Sequence, residues 1–79
     1  MTERDAGVAV EAAFAAAMGV PGLDHQEGFF DLGADSLVIV KAMASLRERW
    51  PFLRPVDVFA YPTIEQLAAF ISARSASQA

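Results

Sequence analysis

One serine, Ser36, is the residue of this 79-residue chain that is best placed to take part in chemistry. It lies in the run Gly33-Ala34-Asp35-Ser36-Leu37, directly before a stretch with helical periodicity. A serine hydroxyl becomes a nucleophile when an adjacent base activates it. The hydrolase motif requires glycine two residues to either side of the serine, where this chain has Ala34 and Val38. The sequence therefore favours a serine that receives a chemical group over one that catalyses a reaction.

The sequence contains no other pattern of catalytic or metal-binding residues. The one histidine, His25, lies in a loop, and we expect it to be a solvated surface residue. The acidic residues of that loop lack the alternating ligand positions of a calcium loop, and its glycines are not followed by the Gly-Lys-Ser/Thr of a phosphate-binding loop. The absence of cysteine excludes thiol nucleophiles, thiolate metal sites and disulfides. We expect neither catalysis nor a metal site.

Length and composition predict one small domain over residues 1–79, since 54% of the residues are hydrophobic. The net charge of −4 disfavours binding to nucleic acid and to anionic membranes, which both attract basic surfaces. No apolar run reaches the length of a membrane span, and the charged start of the chain lacks a signal-peptide pattern. We therefore expect a cytoplasmic monomer that binds neither nucleic acid nor membrane.

Hydrophobic periodicity predicts an all-α protein with three long helices and one short one. Gly19 and Pro21 are expected to end the first helix, Asp35 to cap the second, and Thr63 to cap the last. A long loop joins the first two helices, and at least one of its two phenylalanines is expected to be buried. The predicted helices cover about 4–18, 36–49, 56–60 and 63–74, followed by a frayed tail over 75–79.

The second predicted helix is apolar on more than its core side. Its core stripe consists of Ile39, Ala42, Met43, Leu46 and Trp50. Leu37 and Val40 lie outside this stripe, so they are expected to form an apolar patch beside Ser36, and such patches often mark partner surfaces. The patch lies at the positive end of the helix, which favours an anionic group such as a phosphate.

Two segments of the chain resemble acyl and peptidyl carrier proteins. The run Gly28-Phe29-Phe30-Asp31-Leu32-Gly33-Ala34-Asp35-Ser36-Leu37 resembles their phosphopantetheine attachment site. The run Phe59-Ala60-Tyr61-Pro62-Thr63-Ile64-Glu65-Gln66-Leu67-Ala68 resembles their last-helix signature. Met18-Gly19 occupies the position where the family usually has Leu-Gly, so the resemblance covers nearly the whole chain. It implies a four-helix bundle, in agreement with the helices predicted from periodicity.

The resemblance implies that Ser36 receives 4′-phosphopantetheine from coenzyme A through a separate phosphopantetheinyl transferase. Asp35 is implied to cap the helix and to help the transferase recognise the serine. The thiol of the arm would carry an acyl or aminoacyl group as a thioester, which would bring a cysteine-free chain into thiol chemistry. The implied loading partner is an adenylating enzyme or an acyltransferase, and the implied receivers are ketosynthase, condensation or tailoring enzymes. The implied partner-binding residues are Leu37, Val40, Lys41, Ala44 and Tyr61.

The charges on the second helix differ from those of fatty-acid carriers, which usually have an acidic second helix. Lys41, Arg47 and Arg49 stand against the single acid Glu48, which favours a carrier from a polyketide or nonribosomal peptide pathway. The choice between acyl and peptidyl carrier stays open. The positions of the chain ends favour a free-standing carrier. An alternative is a helical interaction module that keeps the carrier fold without the arm; a hydrolase that uses Ser36 is disfavoured because no general base lies near it.

Overall fold

A computed structural model describes residues 2–77 of the chain. The four helices that it contains are α1 (Glu3–Met18), α2 (Ser36–Arg47), α3 (Pro55–Ala60) and α4 (Ile64–Ser77). Within this range the only β-type pairing is an isolated bridge between Gly28 and Thr63. The predicted all-α class with three long helices and one short helix is confirmed.

Helix α1 is the element against which both other long helices pack. Thr2 caps its start, since the Thr2 side chain accepts a hydrogen bond of 3.1 Å from the Asp5 N–H. This cap was not predicted from the sequence. Gly19 ends the helix as predicted, because it adopts the left-handed conformation with φ 72° and its N–H reaches the last-turn carbonyls.

The core lies between α1, α2 and α4. Its largest fully buried side chains come from α1, α3 and α4 and from both long connections: Val10, Phe14, Phe29, Leu53, Val58, Ile64, Leu67 and Ile71. The predicted core stripe of α2 and the following residue Trp50 are all buried. The connection between α2 and α3 contains Trp50 and Leu53. Because both side chains are apolar, they pack into this core, with 4% and 0% of their surface exposed.

Two predicted helix ends differ from the structure. Helix α2 stops at Arg47 instead of residue 49, because the N–H groups of Arg49 and Trp50 both turn back to the Leu46 carbonyl ahead of Pro51. Helix α4 continues to Ser77, through part of the tail that was expected to be frayed, since alanine and serine there do not oppose helical structure. Residues 78 and 79 of that predicted tail lie outside the described residues.

His25 was predicted to be a solvated surface residue, but it is partly buried and hydrogen-bonded. Its Nε2 atom lies 2.5 Å from Oε1 of Glu11 on α1, and Oε2 of the same carboxylate accepts a hydrogen bond from the Leu23 N–H. The His25 carbonyl accepts a hydrogen bond of 3.0 Å from the Glu65 N–H at the start of α4. The loop after α1 is thus tied to both α1 and α4. The sequence could not indicate this, since the residues are far apart along the chain.

The carboxylate of Glu11 should make stability sensitive to acid. Its hydrogen bonds with His25 and with the Leu23 N–H lower the pKa of Glu11. A group whose pKa is lower in the folded state contributes stability above its unfolded pKa, and that stability is lost as the pH falls through the folded value. We expect Glu11→Gln to lower the thermal midpoint at pH 7, and the difference from the native protein to shrink below about pH 4.

The measurement is thermal unfolding of both proteins from pH 7 to pH 3. Glu48→Gln, at an exposed position at the end of α2, is the control and should change the midpoint little at any pH. A midpoint difference for Glu11→Gln that stays constant over the whole range would contradict a role for the ionised carboxylate.

None of the helices in the described part of the chain is both long enough and apolar enough to cross a membrane.

Candidate functional site

Ser36 is the first residue of α2, and Asp35 is its N-cap. The Asp35 carboxylate accepts a hydrogen bond of 3.0 Å from the Val38 N–H, and its carbonyl accepts one of 2.9 Å from the Ile39 N–H. This capping fixes the backbone on which Ser36 is presented.

The Ser36 side chain is exposed and makes no hydrogen bond with any residue that the structure describes. The N–H groups of Ser36 and Leu37 are also free there, as expected in the first turn of a helix. An accessible hydroxyl therefore lies beside unused donors at the positive end of a helix dipole, which is a favourable position for a phosphate.

The loop before Ser36 is held in place by one buried aromatic residue. Phe29 has 1% of its surface exposed and stacks on Phe14 of α1, with ring centroids 4.2 Å apart and an interplanar angle of 16°. This confirms that one of the two loop phenylalanines is buried. The Phe29 carbonyl accepts a hydrogen bond of 3.0 Å from Ala34, which is itself buried next to the cap. The Phe29 anchor thus determines where α2 begins.

The same loop is paired with the junction of α3 and α4. Gly28 forms its β-bridge with Thr63, and the Phe29 N–H donates to the Pro62 carbonyl at 2.7 Å. Thr63 also accepts a hydrogen bond of 3.0 Å from the Gln66 N–H, so it caps α4 as predicted. The two sequence segments that carry the family resemblance are therefore in direct contact.

Gly33 is the position in this loop where glycine is required by its backbone conformation. Its φ is 102°, a value that side chains rarely adopt, and its N–H bonds to the Phe30 carbonyl at 3.2 Å. The turn at Gly33 redirects the chain into the cap of α2.

Five large apolar side chains are exposed on the second and third helices and the loop before them. They are Leu37 (61% exposed), Val40 (60%), Val56 (54%), Phe59 (62%) and Phe30 (44%). Phe30 and Phe59 stack with centroids 5.2 Å apart, which joins the loop to α3. We call these five residues the apolar face.

The predicted partner-binding residues do not all lie together. Leu37, Val40 and Ala44 are exposed on α2. Lys41 is exposed too, but it lines a groove between α2 and α1. Tyr61 is half-buried and stacks on Phe70 of α4, with centroids 4.6 Å apart, so one face of its ring is covered.

Sequence reasoning missed Phe30, Val56 and Phe59. The spacing of Val56 and Phe59, one helical turn apart around the buried Asp57 and Val58, was a usable signal. No sequence signal indicated the contact between Phe30 and Phe59, because these residues are 29 positions apart along the chain.

No base is bonded to Ser36 in the described range, and no group of three or more acidic or histidine residues there could hold a metal ion. The arrangement can present a hydroxyl for modification and an apolar surface for contact.

Comparison with protein families decides the identity. The family model described as "Phosphopantetheine attachment site" matches residues 8–71, which include the whole of this site. This chain belongs to the phosphopantetheine attachment family. It is a carrier, and its prosthetic group is a covalently attached 4′-phosphopantetheine.

The relatives of this carrier are segments of large synthases. It is 36% identical over 76 residues to a phenolphthiocerol/phthiocerol polyketide synthase protein of Mycobacterium tuberculosis, with 95% of this chain and 5% of the relative covered. It is 34% identical over 70 residues to a nonribosomal peptide synthetase of Glarea lozoyensis, with 86% and 1% covered. The carrier thus spans a small fraction of the length of these curated relatives.

A solved structure described as a "Non Ribosomal PCP domain" matches the carrier with a TM-score of 0.71 and 28% identity, over 87% of each chain. The predicted carrier-type helical bundle is confirmed by this likeness.

The residues present fit the prosthetic group. Attachment through a phosphate ester requires a hydroxyl that a separate enzyme can reach. The Ser36 hydroxyl meets this requirement, because it is exposed and makes no hydrogen bond with any described residue. The free N–H groups beside it suit the phosphate charge.

Proposed function

We propose that this carrier holds acyl or aminoacyl intermediates as thioesters on a 4′-phosphopantetheine arm attached to Ser36. The observation that supports this most strongly is the exposed Ser36 hydroxyl at the capped start of α2, inside the matched family region. The names of the relatives support a polyketide or nonribosomal peptide type of pathway. The proposed partners are a phosphopantetheinyl transferase, an adenylating enzyme or acyltransferase that loads the arm, and ketosynthase, condensation or tailoring enzymes that receive its cargo.

In the proposed attachment, Ser36 Oγ forms a bond to the phosphate of the pantetheine half of coenzyme A. The bond from that phosphate to the adenosine 3′,5′-bisphosphate half breaks, and the serine proton passes to a base of the transferase. Asp35 holds Val38 N–H, and thereby the first turn of α2, in the orientation that exposes Ser36. Once attached, the arm supplies the thiol that forms the thioester.

We infer that the chain performs no catalysis of its own and acts as a monomer in the cytoplasm. A carrier must present one arm to several enzymes in turn, and transient contacts of modest area suit that exchange.

The proposed docking surface for these enzymes is the apolar face together with Ala44. The five residues of the apolar face are each between 44% and 62% exposed, and exposed apolar side chains on neighbouring elements favour protein contacts. The roles of Lys41 and Tyr61 in partner binding stay predictions.

The absence of cysteine provides a direct test of the proposal. The purified protein should have no thiol. After incubation with coenzyme A and a broad-specificity phosphopantetheinyl transferase, and removal of free coenzyme A, it should contain one thiol per chain by reaction with a maleimide dye. A protein that acquires no thiol would contradict the proposal and favour the interaction module.

The two roles proposed for Asp35 can be separated. Asp35→Ser keeps an oxygen that accepts from Val38 but removes the charge, so stability should change by only a few tenths of a kcal/mol. Asp35→Ala removes the cap and should cost about 1 kcal/mol. If the transferase recognises the carboxylate, both variants should be primed, that is, modified with phosphopantetheine, roughly tenfold more slowly. If Asp35→Ser is primed with the native kcat/KM, Asp35 caps the helix but is not recognised by the transferase.

Phe59 tests the docking surface. Because the side chain is exposed, Phe59→Ser should cost only about 1 kcal/mol, mainly from the contact with Phe30. It should lower the kcat/KM of priming about tenfold if the aromatic ring is an anchor. The matched control is Val8→Ser, a similarly exposed position on α1, which should be primed normally. If the two variants have equal kcat/KM for priming, Phe59 is not part of the docking surface.

A further inference from the structure

The part of the chain that carries α2 and α3 is basic, although the protein as a whole is acidic. Residues 36–60, which contain both helices, have four basic and two acidic side chains, a net charge of +2. The whole chain has six basic and ten acidic residues, so the other residues have two basic and eight acidic side chains, a net charge of −6. The surface proposed for docking therefore differs in charge from the rest of the molecule.

Two cations border the apolar side of α2. At about 100° per residue, the exposed Leu37, Val40 and Ala44 occupy a strip roughly 60° wide. Arg47 lies next to Val40 on one edge of this strip, and Lys41 lies on the other edge. Both cations are exposed, and neither makes a side-chain hydrogen bond or an ion pair with a described residue. Each edge of the strip thus has a positive charge that is available to a partner.

The acidic side chains near these helices do not neutralise the two edges. Asp57 of α3 is buried, and its carboxylate accepts a hydrogen bond of 2.8 Å from the Arg54 N–H. Asp35 and Glu48 are exposed, but they lie just before and just after α2, where Asp35 caps the first turn. Glu48 follows Arg47 directly, and adjacent residues of a helix do not face each other. The charged side chains within α2 itself are both positive.

We propose that the apolar face docks onto an enzyme surface that is apolar at its centre and carries carboxylates at its edge. This rests on the carrier function proposed above, and it names the chemistry of the partner. The apolar residues supply the contact area, while the flanking cations select the sign of the partner's charge and speed association. Because like charges across an interface weaken binding, enzymes with basic docking surfaces are disfavoured.

The charges at the ends of α2 favour a protein partner over an anionic membrane. A membrane of anionic lipids is negative over its whole area, so it would meet Asp35 and Glu48 as well as the cations. A folded protein can place single carboxylates opposite Lys41 and Arg47 and leave the surface opposite the two acids uncharged.

The test uses two synthetic helical peptides with the same leucine-rich face, one with glutamates along both edges and one with lysines. Each is titrated into the ¹⁵N-labelled, unmodified protein and followed by two-dimensional NMR. We expect the glutamate peptide to shift the amides of Leu37, Val40 and Phe59, and to bind about tenfold more tightly than the lysine peptide at low salt. This ratio should approach one in about 1 M salt, where the screening length is about 3 Å.

Charge reversal on the protein tests which cations are responsible. Lys41→Glu and Arg47→Glu should each lower the ratio of the two affinities roughly threefold or more. Arg4→Glu is the matched control, because Arg4 is exposed on α1 beside α4 and its reversal changes the net charge by the same amount. This variant should keep the native preference for the glutamate peptide.

Equal binding of the two peptides, tighter binding of the lysine peptide, or no shifts at millimolar peptide would overturn the proposal. Shifts of the same amides with phosphatidylglycerol vesicles but not with the glutamate peptide would also overturn it, since they would assign the surface to a membrane. The titrations need no phosphopantetheine, and Ser36→Ala should give the native result. A protein that is primed but shows no charge preference would disprove this proposal alone. One that shows the preference but is not primed would disprove the carrier function alone.

Discussion

Ser36→Ala should abolish attachment of phosphopantetheine while leaving the fold intact. The Ser36 hydroxyl makes no hydrogen bond within the described part of the chain, so its removal costs no contact there. Alanine is also a good helix former at the first position of α2. We therefore expect an unfolding free energy within about 0.5 kcal/mol of the native value and complete loss of the coenzyme A-dependent increase in intact mass.

Ser45→Ala is the matched control for this experiment. Ser45 is also exposed on α2, but it faces the groove beside α1 instead of the start of the helix. It should be primed at the native rate. Priming of Ser36→Ala, or its unfolding, would contradict the assignment of an accessible acceptor that is separate from the structural core.

Phe14→Ala should have the largest effect on stability. The Phe14 side chain is fully buried on α1 and stacks on Phe29, so its loss leaves a cavity and also removes the anchor of the loop before Ser36. Truncation of a buried phenylalanine costs about 3–5 kcal/mol. Since domains are stable by only about 5–15 kcal/mol, this change should remove much of the total.

Urea unfolding of Phe14→Ala measures this cost, and Val8→Ala, on the exposed side of the same helix, should change stability by less than about 0.5 kcal/mol. Hydrogen exchange adds a local readout. The Ala34 amide, which donates to the Phe29 carbonyl, should exchange faster in Phe14→Ala. A cost below about 1 kcal/mol would mean that the aromatic stack is not what holds the loop.

The features that could be predicted from the sequence are the local ones. The periodicity of α2 indicated which side of the helix is buried, and Gly19, Asp35 and Thr63 were recognised as helix boundaries because capping depends on residues three or four positions apart. The candidate site was found for the same reason, since the serine and its cap are neighbours.

The features that could not be predicted depend on contacts between distant segments. Whether Phe29 or Phe30 is buried is decided by Phe14 on another helix. The bonds of His25 depend on Glu11 and Glu65, which periodicity cannot relate to it. The ends of α2 and α4 were misplaced because helix propensity varies little between neighbouring residues.

The apolar face shows how such contacts change a functional prediction. Tyr61 was predicted to bind partners; it is half-buried and its ring packs on Phe70, and its role in partner binding stays a prediction. Phe59, two residues earlier, is the aromatic residue that is exposed there. Tyr61 is the C-cap of α3 and follows its last residue, so the periodicity of that helix does not determine the direction of its ring.

The central claim is that Ser36 is the attachment point of the prosthetic group. The most direct measurement is fragmentation mass spectrometry of the protein after incubation with coenzyme A and a phosphopantetheinyl transferase. We expect one phosphopantetheine per chain, with fragment ions that place it on Ser36 between the unmodified residues Asp35 and Leu37. An adduct on any other residue, or no adduct on a fully folded protein, would contradict the claim.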